Sequence, residues 1–326
     1  MEAKKTPKKT IKKAQMSKRA LLFLLMSLIW GSHWIAIKIG VASVPPVFLA
    51  AARYLVTAII LVIVIPGAWK PFSPKMLTRT VCTGLLAIVG SFALLFWGMQ
   101  YVDSGVSALI NLSVVPIGLF GLTVAFGQEA PTLRHVICLA IGICGLFALF
   151  AGRASFSLAN NEIMGAASIL AGTLLYCLGS VLSRPLLTDC SPMQLSAAHA
   201  VVGAIGLGLI SLSTEAISGH TFRNVIQPAP IFAIGFLVIF GTIAYAIYLS
   251  LVRDWGASAA GLYAFVSPVV ALILGSIIFG EPIGAAKLAG AALLLLAAAI
   301  ATNRALAPRH LCGFAKQQIS GLRKSA

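Results

Sequence analysis

Charge is scarce in this chain. Only 10% of its 326 residues are Asp, Glu, Lys or Arg, against about 25% in a soluble domain. Acids are scarcest: Glu2, Asp103, Glu129, Glu162, Asp189, Glu215, Asp254 and Glu281, each in a tail, a loop or at a helix end. A carboxylate inside a span is the usual proton or sodium relay. Its absence argues against a carboxylate-driven pump and leaves uniport, exchange or coupling through a histidine. The six cysteines (Cys82, Cys138, Cys144, Cys177, Cys190 and Cys312) have no metal-ligand spacing. They read as free packing thiols. No His/Asp/Glu cluster within the apolar runs has catalytic or metal spacing, which argues against an intramembrane enzyme. Neither a cofactor nor a metal is expected. No connection could hold a soluble domain; the longest, about 213–228, is short and irregular.

What is abundant is apolar sequence: 59% hydrophobic, with a mean hydropathy of +0.98. A bilayer-crossing helix needs roughly 17–25 predominantly apolar residues. Ten runs qualify: 20–37, 47–65, 77–97, 105–126, 135–151, 163–182, 193–212, 229–251, 257–279 and 283–301. Barrel strands would be about half as long and would alternate strictly. The fold class is therefore an all-α integral membrane protein with ten transmembrane helices. The organisation reads as a basic tail (1–19), two five-helix units (20–151 and 163–301) and a second basic tail (302–326). The first run follows a basic segment but is 18 residues long and lacks a small-residue cleavage signature, so it reads as a retained helix.

The net charge of +16 could suggest nucleic acid, but its placement points to topology instead. Eight basic residues precede Leu21 and five follow Ile300. With the N-terminus inside, 19 of the 24 Lys and Arg fall on the inner side and four on the outer, with Arg53 alone deep in a span. The positive-inside rule then places both termini in the cytoplasm, in a cell (inner) membrane. Expected partners are the lipid bilayer and a small-molecule substrate, with no nucleic acid; the chain reads as a monomer or homodimer.

The halves repeat. Ala108 to Pro116 falls on Ala260 to Pro268 without a gap, and Glu129 falls on Glu281. Pro46-Val-Phe-Leu-Ala-Ala-Ala-Arg53 falls on Pro192-Met-Gln-Leu-Ser-Ala-Ala-His199, and Gly31-Ser32 on Gly179-Ser180. Five spans is an odd number, so the second copy enters from the opposite side. A 5+5 inverted repeat gives equivalent inward-open and outward-open states, the geometry alternating access requires.

Four patterns carry a family resemblance. They are Trp30-Gly31-Ser32, Pro46…Arg53-Tyr54, Ala108…Pro116 before Gly127-Gln-Glu129, and Tyr263-Ala-Phe-Val-Ser-Pro268 before Phe279-Gly-Glu281-Pro282. Together, over about 17–303, they resemble the EamA-type branch of the drug/metabolite transporter superfamily. The resemblance implies a ten-helix transporter with a central cavity, usually an exporter of amino acids or other small metabolites. Substrate does not carry over with a fold. Importers or exchangers of nucleotide-sugars or sugar phosphates belong to the same superfamily, but the spans lack the Lys cluster a phosphate wants.

Several residues stand out as candidates. Arg53 lies eight residues past Pro45, about 12 Å into its helix. An intramembrane charge is costly and functional by default. Arg53 either ties down helix-end carbonyls or binds a substrate carboxylate; its mate His199 either packs at an interface or relays a proton. His33 carries less weight, as it could point at headgroups or a neighbour. Polar and aromatic residues recur at helical spacing: Ser104, Ser107 and Asn111; Tyr263 and Ser267; Trp30 and Trp34; Tyr176 and Ser180; Thr242, Tyr245 and Tyr248, with Trp97 in the mate helix. Trp69 and Trp255 suit an interfacial belt. From these the expected substrate pathway comprises Trp30, Arg53, Trp97, Asn111, Tyr176, Ser180, His199, Tyr245, Tyr263 and Ser267. Pro116 and Pro268 sit mid-span at equivalent places and read as paired hinges. Glu129 and Glu281 read as caps of the following helices. Gly118 with Gly121, and Gly203 with Gly206, read as close-packing sites.

Overall fold

The computed structural model describes residues 7–65, 73–102, 104–150, 160–280 and 282–305. Trp69, Glu281, Cys312 and the ends of both basic tails lie outside the described residues, as do the side chains of Trp34 and Ser104.

Ten long helices run in chain order: α1 (Pro7–Val41), α2 (Pro46–Val64), α3 (Pro74–Gly98), α4 (Ser104–Ala125), α5 (Leu133–Phe150), α6 (Asn160–Leu186), α7 (Pro192–Thr214), α8 (Pro228–Trp255), α9 (Tyr263–Phe279) and α10 (Ala285–Ala305). Among the described residues there is no strand. Among the described residues nine segments, with α9 counted from Ala257, are long and apolar enough to cross a membrane, and the apolar stretch Ala285–Ile300 of α10 is shorter. The connection after α7 is less irregular than its sequence suggests, since it contains a two-turn helix, Gly219–Val225.

The helix ends follow local chemistry. Proline stands in the first turn of α2, α3, α7 and α8, where its missing N–H costs nothing. Ser191 closes a capping box: its hydroxyl accepts from Gln194 N (3.1 Å), and its own N–H donates to Gln194 Oε1 (2.9 Å). Gly127 and Gly280, just past α4 and α9, both adopt φ +65°, a left-handed stop that glycine takes without strain. Thr132 accepts from His135 N (3.4 Å) at the start of α5. The Glu129 carboxylate, expected at that cap, lies against Gly256 beside the Arg184 guanidinium.

The packing obeys a pseudo-two-fold. Exchanging α1 to α5 with α6 to α10 maps α1/α8 onto α6/α3 and α1/α9 onto α6/α4; α2/α7 and α5/α10 map onto themselves. All six pairs are packed. In lipid, association rests on close van der Waals fit at small residues. A Cβ on Gly290 would stand 2.7 Å from Gly145 O, and one on Gly31 2.8 Å from Ser267 O. Gly118, Gly203 and Gly206 also lie at crowded crossings, whereas nothing approaches Gly121. Large apolar side chains such as Ile63 and Ile277 are three-quarters exposed, the outward face a lipid environment demands and water would penalise.

Candidate functional site

A cavity of about 180 Å³ lies among the helices of both halves. It reaches toward the face where α1 and α3 end, where Ile37, Leu95 and Phe96 line it. Part of its wall comes from an irregularity in α3. Residues Leu85–Gly90 form a π turn, and Ala87, Ile88 and then Ser91 face the cavity from it. Such turns add one residue to the helical register and often mark functional sites.

On the other side the cavity is underlain by aromatic rings. Trp30 and Tyr263, with ring centroids 4.1 Å apart, both face the cavity and pack on Tyr248, which is fully buried one turn further along α8. Tyr176 stacks on Tyr248 at 6.0 Å, and its hydroxyl accepts from Tyr263 OH at 3.3 Å.

One full charge lines this space. Arg53 Nη2 donates to Tyr54 OH at 2.7 Å, and its guanidinium carbon lies 4.3 Å from the Tyr54 ring centroid and 5.3 Å from that of Phe92. The two rings hold the cation without neutralising it. No carboxylate lines the cavity among the described residues. His33 faces it from α1. Its Nδ1 lies 2.8 Å from Ile29 O; a carbonyl only accepts, so the ring proton sits on Nδ1. Nε2 is left as a lone pair, buried, with no hydrogen-bond partner. Both groups pack close to the backbone of Gly241: a Cβ there would be 2.9 Å from His33 Nε2 and 3.5 Å from Arg53 Nη1.

Six of the expected pathway residues meet at this cavity: Trp30, Arg53, Asn111, Tyr176, Tyr245 and Tyr263. Asn111 is pinned there by donating its amide to Thr173 Oγ1 (3.0 Å). Four lie elsewhere. Trp97 is 38% exposed and packs beside Tyr101. Ser180 is buried within α6, outside the lining. Ser267 donates to Ser27 O (3.2 Å), tying α9 to α1. His199 stands one layer behind the wall. Thr83 donates its single proton to backbone carbonyls, so it accepts from His199 Nε2–H (2.9 Å); Nδ1 then accepts from Tyr245 OH (2.8 Å). The residues that sequence reasoning undervalued are His33, Thr57 and Gly241. A stripe of Trp30, His33 and Ile37 at i, i+3, i+7, and one of Arg53 and Thr57 at i, i+4, carried that signal.

The family model for the EamA-like transporter family matches residues 17–151 and 163–303. This chain belongs to the EamA-like transporter family. Among its relatives, the "Uncharacterized inner membrane transporter YedA" of Escherichia coli (strain K12) is 30% identical over 257 residues, covering 78% of this chain and 80% of its own. A "Probable amino-acid metabolite efflux pump" of Salmonella typhimurium (strain LT2) is 25% identical over 287 residues, covering 85% and 92%. A solved crystal structure matches the fold with a TM-score of 0.73 at 19% identity, covering 89% of this chain and 98% of its own. As an EamA-like protein the chain is a multi-pass membrane transporter, and its cavity lies where the two repeats meet.

Proposed function

We propose that this transporter exports small metabolites such as amino acids by alternating access through the central cavity. The observation that carries the reading is Arg53: among the described residues, a single guanidinium and no carboxylate line an aromatic cavity. Such a wall suits a neutral or zwitterionic solute with apolar surface, whose carboxylate Arg53 would meet. It suits a phosphorylated solute badly, since phosphates want several cations. The printed name of the Salmonella typhimurium relative agrees with this direction and cargo.

Both termini are assigned to the cytoplasm on the asymmetry of Lys and Arg. The two five-helix units, 20–151 and 163–301, are the repeats whose symmetry supplies the two access states, with Pro116 in α4 and Pro268 in α9 as hinges. The chain works as a monomer or homodimer. Two experiments test this. Cells overloaded with single amino acids or dipeptides should release at least one of them faster when the protein is present; equal release across the panel would refute the export reading. A reporter fused after Ala326 and active only in the periplasm should stay silent, and a strong signal would refute the topology.

A further inference from the structure

The helices alternate in direction, so α4, α6 and α8 end on the face opposite the one toward which the cavity reaches. Contacts between the two repeats close that opposite face. Arg19 on α1 pairs with Asp254 at the end of α8 at 3.2 Å, and the ring of Phe23 packs 5.9 Å from that of Trp255. From the segment leaving α4, Gln128 donates to Val181 O of α6 at 3.1 Å and accepts from Arg184 Nη1 at 3.5 Å. Glu129 then reaches the step between α8 and α9. A Cβ on Gly256 would run into Glu129 Oε1 and stand 3.5 Å from the Arg184 guanidinium. Gly256 also holds φ +95°, which residues with side chains rarely adopt. Glycine there both turns the chain and leaves the carboxylate a seat. An ion pair this near to water is worth little, which suits a contact that must break in every cycle.

The same parts recur, by sequence, in the other repeat. Asp254-Trp-Gly256-Ala-Ser-Ala259 repeats Asp103-Ser-Gly105-Val-Ser-Ala108. Glu281 follows Gly280, the stop of α9, much as Glu129 follows Gly127, the stop of α4. Lys38 falls on Arg184 at the spacing that sets Pro46 on Pro192. Repeats related by an axis in the membrane plane exchange roles when access is exchanged. A clasp that shuts one face in one state therefore has a counterpart that shuts the other face in the other state. We propose that Glu129, seated on Gly256 beside Arg184, is the latch that keeps this face shut. Its counterpart is Glu281, with Gly105 and Lys38, which engages when the cavity face closes. The two latches compete, because engaging one opens the face that the other shuts. Carboxylates kept out of the spans thus act at their ends, as gates.

This inference rests on the alternating access proposed above, and the experiment separates the two. In full-length protein free of native cysteines, Ser258→Cys reports on the shut face, since Ser258 is buried just past Gly256. Leu95→Cys reports on the cavity face. A membrane-impermeant maleimide is applied to right-side-out and to inside-out vesicles. Glu129→Gln should raise labelling of Ser258→Cys from the shut face at least about fivefold, and lower that of Leu95→Cys from the cavity face. Adding Glu281→Gln should bring both back toward the starting level. Arg184→Glu should open the face as Glu129→Gln does, which keeps the test available if the latter fails to fold. Glu129→Arg combined with Arg184→Glu exchanges the charges and should shut the face again, a rescue that a merely structural role would not give. Unchanged labelling in folded Glu129→Gln and Arg184→Glu proteins overturns the latch. So does a Glu281→Gln change that adds to the opening instead of reversing it. Alternating access survives either result if each cysteine reacts from its own side. If Ser258→Cys never reacts from the shut face in any variant, both readings fall.

Discussion

Arg53 and His199 occupy equivalent places in the two repeats, on α2 and α7, yet they meet different surroundings. Arg53 faces the cavity, hydrogen-bonded to Tyr54 OH and packed on the Tyr54 and Phe92 rings. His199 is fully buried behind Tyr245, with both ring nitrogens hydrogen-bonded. Duplication supplied two symmetric backbones, and the side chains then diverged. The first repeat carries the ionic group and the irregular π turn of α3; the second carries Tyr176, Tyr245 and Tyr263. A symmetric scaffold can thus hold an asymmetric solute.

The sharpest way to break this comparison is to remove both members in turn. Arg53→Gln should abolish efflux, a loss of at least about tenfold, while membrane abundance stays near normal. A protein that vanishes from the membrane would make Arg53 a structural residue instead. His199→Leu should do the reverse. It leaves the buried Thr83 hydroxyl without its partner, at about 1–3 kcal/mol, and frees the half-buried Tyr245 hydroxyl, so the detergent-solubilised protein should melt at a lower temperature. Its efflux per folded molecule should fall far less than that of Arg53→Gln. Equal transport defects in the two variants would put His199 on the pathway as well.

The hinges give a smaller effect with a sign. Pro116→Ala and Pro268→Ala each allow one more backbone hydrogen bond in mid-helix. If they are paired hinges, the two changes bias the resting state in opposite directions. Cysteine labelling from either side of the membrane should then shift oppositely in the two variants. Identical shifts, or none with normal transport, would make the prolines static kinks. The labelling needs a background free of the native cysteines, of which Cys82 and Cys144 are exposed. Cys190 contributes little, since burial, with Asp189 beside it, pushes its thiol up to about 11.

Smallest of all is the expected cost at Glu215. Its carboxylate accepts from the N–H groups of Val47 and Phe48 (2.8 Å each) and from the Ser211 hydroxyl (2.7 Å). Glu215→Ala should lower stability by about 1–2 kcal/mol, the usual loss of a helix N-cap, read as a shift in melting temperature. No shift would show that these bonds are worth no more than water's.

The fold was largely legible because lipid imposes a strict rule: every span must be a long apolar helix. Repeated prolines and the Gly-Ser steps marked the duplication. Arg53 was legible for the same reason, as a lone charge where charge is expensive. The rest of the site was half legible. Trp97 was assigned from its mate helix, but it lies past the π turn, where one extra residue turns the helix by about 100° relative to α8. His33 was undervalued because the stripe it shares with Trp30 and Ile37 holds a single ionisable residue, and the sequence does not tell a cavity-facing imidazole from one turned to headgroups or a neighbour. Gly241 gave no signal at all, since what matters there is how closely side chains from two other helices approach its backbone.

The Glu215 contact also bears on how the molecule divides mechanically. That carboxylate belongs to the segment leaving α7, yet it grips the first turn of α2, so it rivets one repeat to the other at a single end of the bundle. Helices α2 and α7 are also packed together along their length. Under the proposed alternating access a pair fastened in this way would move as one lever, and the seam of opening would run beside α2/α7, not between them.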